Sequence, residues 1–304
     1  MVEPAGATRR CGFVALIGAP NVGKSTLINA LVGAKVSIVT PKVQTTRTLV
    51  RGIAIEGPAQ LIFVDTPGIF SPKRRLDRAM VGTAWGSTQD SDLVALLIDA
   101  RKGLKDDDEA ILRVLGDVRP AKVLVLNKVD LVKKPALLAL AQQLNERATF
   151  AATFMVSALS GNGVADLKSW LAARAPEGPW HYPEDQISDA PLRQLAAEIT
   201  REKLYLRLHQ ELPYRSTVET EVWKELKGGA VRIEQTIYVE RESQRKIVLG
   251  KSGQAIKAIG AAARADIAAA IEQPVHLFLH VKVREGWADD PERYREMGLE
   301  FPKE

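Results

Sequence analysis

The sequence predicts an α/β chain: a mostly parallel sheet with helices on both faces, followed by a smaller α+β domain. Three observations predict it. Short apolar runs alternate with amphipathic stretches over residues 1–175, the pattern of successive βα units. Prolines at 176, 179, 183 and 191 then punctuate a stretch with little apolar periodicity, so residues 176–191 read as an extended linker. Beyond it, residues 192–304 carry helical and strand-like runs in the order α-β-β-α-α-β. With 304 residues and 46% hydrophobic content, the chain is long enough to bury two cores.

In the first domain, residues 12–17 read as a buried strand and residues 25–32 as a helix. Between them Gly18-Ala19-Pro20-Asn21-Val22-Gly23-Lys24-Ser25 fits the pattern GxxxxGK[ST]. Its glycines allow successive backbone N–H groups to turn inward around a phosphate, and the helix that follows presents the positive end of its dipole to the same anion. Lys24 adds a full charge, and the Ser25 hydroxyl is a hard oxygen suited to magnesium. The loop and Thr26 after it are candidate nucleotide contacts.

A second apolar run, residues 61–64, ends in Asp65-Thr66-Pro67-Gly68, a DxxG turn. There Asp65 would hold magnesium through water and the Gly68 N–H would meet a γ-phosphate, with Thr66 between them. A third run, residues 123–126, leads into Asn127-Lys128-Val129-Asp130. The Asp130 carboxylate can accept from N1–H and the N2 amino group of guanine, donors that adenine lacks, so it selects the base. Lys128 would lay its stem along the base, and Asn127 would tie the loops together. A fourth strand over residues 150–156 ends in Ser157-Ala158-Leu159, whose Ala158 N–H is placed to reach guanine O6.

These motifs, in this order, resemble the translation-factor-like class of GTPases over residues 10–175. Gln44-Thr45-Thr46-Arg47 and the GxPNxGKS form of the loop narrow the resemblance to the branch holding Era and the tRNA-modification GTPases. It implies that Thr46, with Thr45 as the alternative, joins Ser25 and Asp65 on Mg2+ bound with GTP or GDP. It also implies a potassium ion at Asn21 beside the phosphates, where it would act with Lys24, Thr46 and Gly68 in hydrolysis. Ile69 follows DxxG where many GTPases have a glutamine, so the expected intrinsic rate is slow.

In the second domain a helix is expected over residues 192–212, strands over 216–226 and 231–240, helices over 243–249 and 254–272, and a strand over 275–283. Gly250-Lys251-Ser252-Gly253 joins the last two helices. A GxxG loop in that position clamps the backbone of single-stranded RNA. The arrangement resembles a type II KH domain, and the tandem resembles the Era family over nearly the whole chain.

Charge agrees locally. Residues 191–304 carry 19 Lys and Arg against 18 Asp and Glu. From 241 to 264, however, Arg241, Arg245, Lys246, Lys251, Lys257 and Arg264 face only Glu242. A solvated helix face is the default explanation for such a run. Its coincidence with GxxG favours a groove that tracks phosphates.

The remaining groups read more plainly. Cys11 is the single cysteine, so no intrachain disulfide forms. His181, His209, His276 and His280 lack metal-ligand spacing; Trp223 and Trp287 could stack on bases, with packing the commoner fate; and Asp106-Asp107-Asp108-Glu109 favours a helix start through the dipole. The N-terminus shows no signal peptide or membrane span, so a cytoplasmic protein is expected.

The Era resemblance implies a partner, the 3′ region of small-subunit (16S) ribosomal RNA within an assembling small ribosomal subunit. It further implies peripheral contact with the inner face of the cell membrane, and no obligate oligomer. Two alternatives stand beside it. One is an RNA-binding protein whose nucleotide site serves mainly as a sensor. The other is a GTPase of the tRNA-modification branch, which would need a folate domain and a C-terminal cysteine that this chain lacks.

Overall fold

The computed structural model describes residues 8–42, 45–47, 49–208, 215–286, 291, 294 and 299–302. Gln44, His209 and Trp287, named above, lie outside them. The described residues fall into two units: Ile38–Thr45 with Ala190–Glu296 form the second, and the rest of the chain forms the first.

The first unit is built on β1 (Arg10–Ile17), α1 (Lys24–Val32), β2 (Val50–Glu56), β3 (Ala59–Asp65), α2 (Arg75–Gln89), β4 (Leu93–Asp99), α3 (Asp106–Leu115), β5 (Ala121–Asn127), α4 (Lys134–Arg147), β6 (Ala152–Val156) and α5 (Val164–Ala172). The sheet order is β2-β3-β1-β4-β5-β6. Every pair is parallel except β2 with β3. β3 and β4 are buried at every residue, so both faces of the sheet are covered, as near-continuous apolar runs in parallel strands require. β1 lies between β3 and β4, so the chain leaves it first to one side and then to the other. Such a switch point opens a crevice outside the carboxyl ends of the strands. The phosphate loop begins there.

Residues 176–189 differ from the extended linker expected. They are bonded along the first unit's sheet: Cys11 N donates to Pro176 O at 2.9 Å, Gly178 N to Arg9 O at 3.0 Å and Ile53 N to Ile187 O at 2.9 Å. The Gln60 side chain accepts from His181 N and Tyr182 N, and Arg51 pairs with Asp189 at 2.8 Å. Proline-rich composition set the chain extended; the edge strand β2 and the start of β1, beyond its pairing with β4, supplied the partners.

The second unit contains α6 (Leu192–Arg207), β7 (Ser216–Glu225), β8 (Val231–Val239), α7 (Glu242–Leu249), α8 (Gln254–Ile271) and β9 (Val275–Val283). This is the expected order, with β7 and β8 antiparallel and β8 and β9 parallel. Ile259, Ala263 and Ile267, four residues apart on α8, are fully buried and pack with Ile237 or with Ile199 and Ile233.

Candidate functional site

Backbone geometry builds the phosphate loop. Gly18, Asn21 and Gly23 have φ of 150°, 64° and 102°. A Cβ on Gly18 would lie 2.5 Å from Leu97 O, and one on Gly23 would lie 2.3 Å from Asn127 Nδ2, so glycine is required twice over. Gly23 caps α1, with Lys24 at its first position. The Lys24 ammonium is buried against Gly18 O at 2.9 Å and Ala19 O at 3.1 Å. Burial pulls its pKa down to about 8, partly offset by Asp65 and Asp108. The DxxG turn is fastened to the same loop: Ile69 N donates to Gly18 O at 3.1 Å, and Gly68 sits so close that a Cβ would come within 2.9 Å of Pro20.

Asp65 is the centre of the site. It is fully buried, and its Oδ2 accepts from Ser25 Oγ at 2.8 Å, Ser37 Oγ at 2.6 Å and Thr46 Oγ1 at 3.2 Å. Ser25 Oγ and Thr46 Oγ1 are 3.1 Å apart. Its other oxygen, Oδ1, is buried with no hydrogen-bond partner. Burial raises the Asp65 pKa despite these hydroxyls and nearby Lys24. A carboxylate with an open oxygen among hydroxyls is a hard donor set short of positive charge, which a divalent magnesium ion fits. Thr45 is placed elsewhere. Its hydroxyl lies 2.7 Å from Thr40 Oγ1 and donates to Lys42 O at 2.8 Å.

The base motif ties the strand ends together. Asn127 Nδ2 donates to Val22 O at 2.8 Å, and Asn127 Oδ1 accepts from Lys128 N and Ala158 N at 2.8 and 3.0 Å. The Lys128 ammonium bridges Asn21 O and Asp99 Oδ2 at 2.6 and 2.7 Å. Asp130 is exposed, in a single 3-10 turn, Val129–Leu131. Three expectations change here. The Ala158 N–H, expected at guanine O6, is given to Asn127; Thr66, expected at the nucleotide, is buried and its hydroxyl donates to Leu16 O at 2.6 Å. Ser157 is buried too, with its N–H given to Asn162 O at 2.9 Å, while Leu159 beside it is exposed.

Three contributors had no motif to announce them. Asp99 ends the apolar run of β4 as Asp65 ends that of β3, and this parallel was the available signal. Asn29, a polar residue within α1, accepts from Val36 N and Ser37 N and donates to Ser37 O, so it holds the Ser37 hydroxyl toward Asp65. Ser37 itself carried no signal.

In the second unit Gly250 adopts φ 72°, ψ 175°, a region essentially reserved for glycine, and Ser252 and Gly253 also have positive φ. A Cβ on Gly250 would lie 2.6 Å from Ala255 Cβ. The loop leaves Lys251 and Ser252 exposed, together with Arg241, Lys246, Lys257 and Arg264. Arg245 differs: its guanidinium is tied to Val281 O at 3.2 Å and Glu242 Oε1 at 2.9 Å, a bond between α7 and β9. Beside the loop a groove of about 450 Å³ runs between α8 and β9, with Ile256, Gly260, Leu277 and Leu279 along it and Lys257 and Arg264 lining it as well. Its apolar floor and basic lining suit stacked bases and a phosphate backbone.

A phosphate loop, an acidic magnesium-type cluster and a guanine motif on one parallel sheet, with a GxxG loop between two helices in the other unit, define a P-loop GTPase joined to a KH domain. Family models agree: residues 13–128 match one described as a 50S ribosome-binding GTPase, and residues 211–288 match a KH domain. GTPase Era of Afipia carboxidovorans is 69% identical over 304 residues, covering 100% of this chain and 99% of the relative. GTPase Era of Brucella suis biovar 1 is 69% identical over 293 residues, covering 96% and 94%. The chain belongs to the Era family of GTPases, enzymes that hydrolyse GTP. Among solved structures, Era in complex with MgGDPNP and nucleotides 1506–1542 of 16S ribosomal RNA matches with a TM-score of 0.90 at 38% identity, covering 95% of this chain and 99% of that one. A variant of Aquifex aeolicus Era bound to GDP and aluminium fluoride matches with the same score, identity and coverage.

Proposed function

We propose that this protein is a GTP-driven switch that binds the 3′ region of 16S ribosomal RNA and acts in assembly of the small ribosomal subunit. The observation that carries the switch is the convergence of Ser25, Ser37 and Thr46 on one oxygen of Asp65 while its other oxygen is left without a partner. The solved Era complex with MgGDPNP and 16S nucleotides supports the partner.

In this reading the loop from Gly18 to Thr26 cradles the phosphates, with Lys24 neutralising developing charge and Asn21 holding the loop's left-handed turn. Ser25 and Thr46 would hold magnesium directly, and Asp65 would hold it through water. Magnesium supplies the charge that orients and neutralises the β- and γ-phosphates. Gly68 offers its N–H to the γ-phosphate, and Lys128 and Asp130 hold the base, Asp130 choosing guanine. Asn127 acts by bracing these loops. RNA lies on the GxxG loop and in the α8 and β9 groove, contacting Lys251, Lys257 and Arg264, with Arg241 and Lys246 beyond. Arg245 serves by fixing α7.

GTP turnover with and without a 16S 3′-terminal RNA fragment tests the reading. Mg-dependent turnover that the RNA changes is expected; turnover and RNA affinity that ignore one another would defeat it. Two finer parts have their own tests. Potassium at Asn21 requires faster turnover in potassium than in sodium. Peripheral membrane contact requires co-sedimentation with anionic vesicles, and no described helix is long and apolar enough to cross a membrane.

A further inference from the structure

We propose that Arg201 and Glu202 of α6 are positioning residues that hold the switch segment to the RNA-binding unit and so carry the coupling between nucleotide and RNA. The proposal rests on the switch reading above and names the groups that transmit it.

Ser37 and Thr46 bracket the segment, and both hydroxyls bond Asp65. Ile38–Thr45, between them, group with the second unit, where α6 bonds the main chain of Val39 and Thr45. Glu202 Oε1 accepts from Val39 N at 2.9 Å, the Arg201 guanidinium donates to Thr45 O, and Lys42 Nζ donates to Leu208 O at the end of the helix. The first two are contacts to the segment's own backbone, so they constrain its path. Arg201 is only 2% exposed, fixed by Glu198 through Nε at 2.8 Å and lying 5.0 Å over the Tyr205 ring. Burying a guanidinium is costly unless it is fully engaged, yet its Nη1 has no partner. Helix packing alone would be served by an apolar residue. A pre-oriented planar donor aimed at Thr45 O is what a conformational clasp needs.

α6 is also tied to α8, the helix that lines the groove. Lys203 bonds Glu202 Oε2 at 3.0 Å and pairs with Asp266 of α8. α8 starts at the GxxG loop and bears Lys257 and Arg264. A run of charge-assisted bonds thus leads from Val39 through Glu202, Lys203 and Asp266 to the helix that lines the groove. If GTP rearranges Ser37 and Thr46 around Asp65, Val39 and Thr45 must follow, and the clasp on α6 differs between the two states. That difference is the differential interaction that coupling requires.

The test uses the full chain and a fluorescent 16S 3′-terminal RNA fragment, with RNA affinity measured in the GDPNP and GDP states. The wild-type ratio of the two should be about fivefold or more. Arg201→Met and Glu202→Ala should each bring it close to one, while affinity in the GDP state stays within roughly twofold, and Arg201→Lys should regain part of the ratio. RNA should enhance GDPNP affinity by the same reduced factor, since linkage is reciprocal. A merely structural role would lower the melting temperature without removing the ratio. Amide exchange in the wild-type chain needs no variant to fold: protection of residues 199–203 should differ between GDPNP and GDP without RNA. A ratio that survives both substitutions in folded protein, or identical exchange in the two states, overturns the role of α6. A wild-type ratio of one overturns the switch reading as well.

Discussion

Asp65 and Lys251 stand in opposite surroundings. Asp65 is buried among hydroxyls with one oxygen unpartnered, and burial pushes its carboxyl up; Lys251 is exposed, on a loop whose shape comes from the positive φ of Gly250, Ser252 and Gly253. In the proposed reading, one region recognises magnesium and phosphate through a dry, pre-oriented cluster that perturbs its own charges. The other offers backbone shape and screened surface charge. Interactions in the first are strong and little affected by salt; those in the second are individually weak and salt-dependent. The same residue change should therefore cost much more in the first than in the second.

The largest test of that contrast is Asp130→Asn. The substitution replaces the acceptor for guanine N1–H and N2 by an amide that can donate to the C2 oxygen of xanthine. Preference for GTP over XTP should swing by up to about 10⁴-fold, as for sites built to pair a polar group. Because Asp130 is exposed, the melting temperature should not move. Competition of XTP against fluorescent GTP measures the swing, and an unaltered preference would remove the base assignment. Next in size is Asp65→Asn. Hydrolysis should fall on the order of 10²- to 10³-fold, the loss typical of one pre-oriented polar group at a transition state. The nucleotide-free protein should melt no lower, since a neutral amide is spared the burial penalty that raises the Asp65 pKa. An activity loss accompanied by unfolding would show that Asp65 is structural.

What could be read in the sequence follows the same division. The candidate nucleotide site was legible because each strand end carries residues that phosphate and guanine chemistry demands at fixed spacing. The KH unit was legible through element order, which gave GxxG its meaning between α7 and α8. Side-chain direction was not legible. Thr66 and Arg245 have suitable chemistry but are turned to Leu16 O and Val281 O, and Ala158 N–H is given to Asn127. Periodicity cannot say which backbone group a side chain finds. β2 also escaped, because a short strand holding Gly52 announces itself only through pairing with β3. Nor could sequence show that Val39 and Thr45 bond Glu202 and Arg201, more than 150 residues away.

A smaller effect is expected on the exposed side. Changing Lys251 and Ser252 to aspartate should weaken RNA binding roughly tenfold to a hundredfold and make its salt dependence shallower by about one. Nucleotide affinity without RNA should be unchanged, and any RNA stimulation of turnover should vanish. Gly250→Ala sharpens the point, because the charge is untouched while the added Cβ meets Ala255 at 2.6 Å. If the aspartates weaken RNA binding and the alanine does not, charge alone makes the face and loop shape is incidental.

The smallest effect returns to the buried site and to the sign of a charge. Burial pulls the Lys24 pKa from its ordinary 10.5 to about 8, with Asp65 and Asp108 opposing the shift. Between those values the unfolded chain binds more protons than the native one, so the nucleotide-free protein should gain stability as pH rises across the window. Bound polyphosphate reverses the preference by stabilising the ammonium. Binding GDP or GTP at about pH 8.5 should therefore take up a fraction of a proton, and affinity should decline as pH rises further. Titration calorimetry in two buffers of different ionisation enthalpy reads that fraction directly. Lys24→Arg, which stays charged, should abolish the uptake even if it binds nucleotide poorly. Zero uptake by the wild-type protein would mean that Lys24 is already fully charged beside Gly18 O and Ala19 O, and the dry character ascribed to this site would then belong to Asp65 alone.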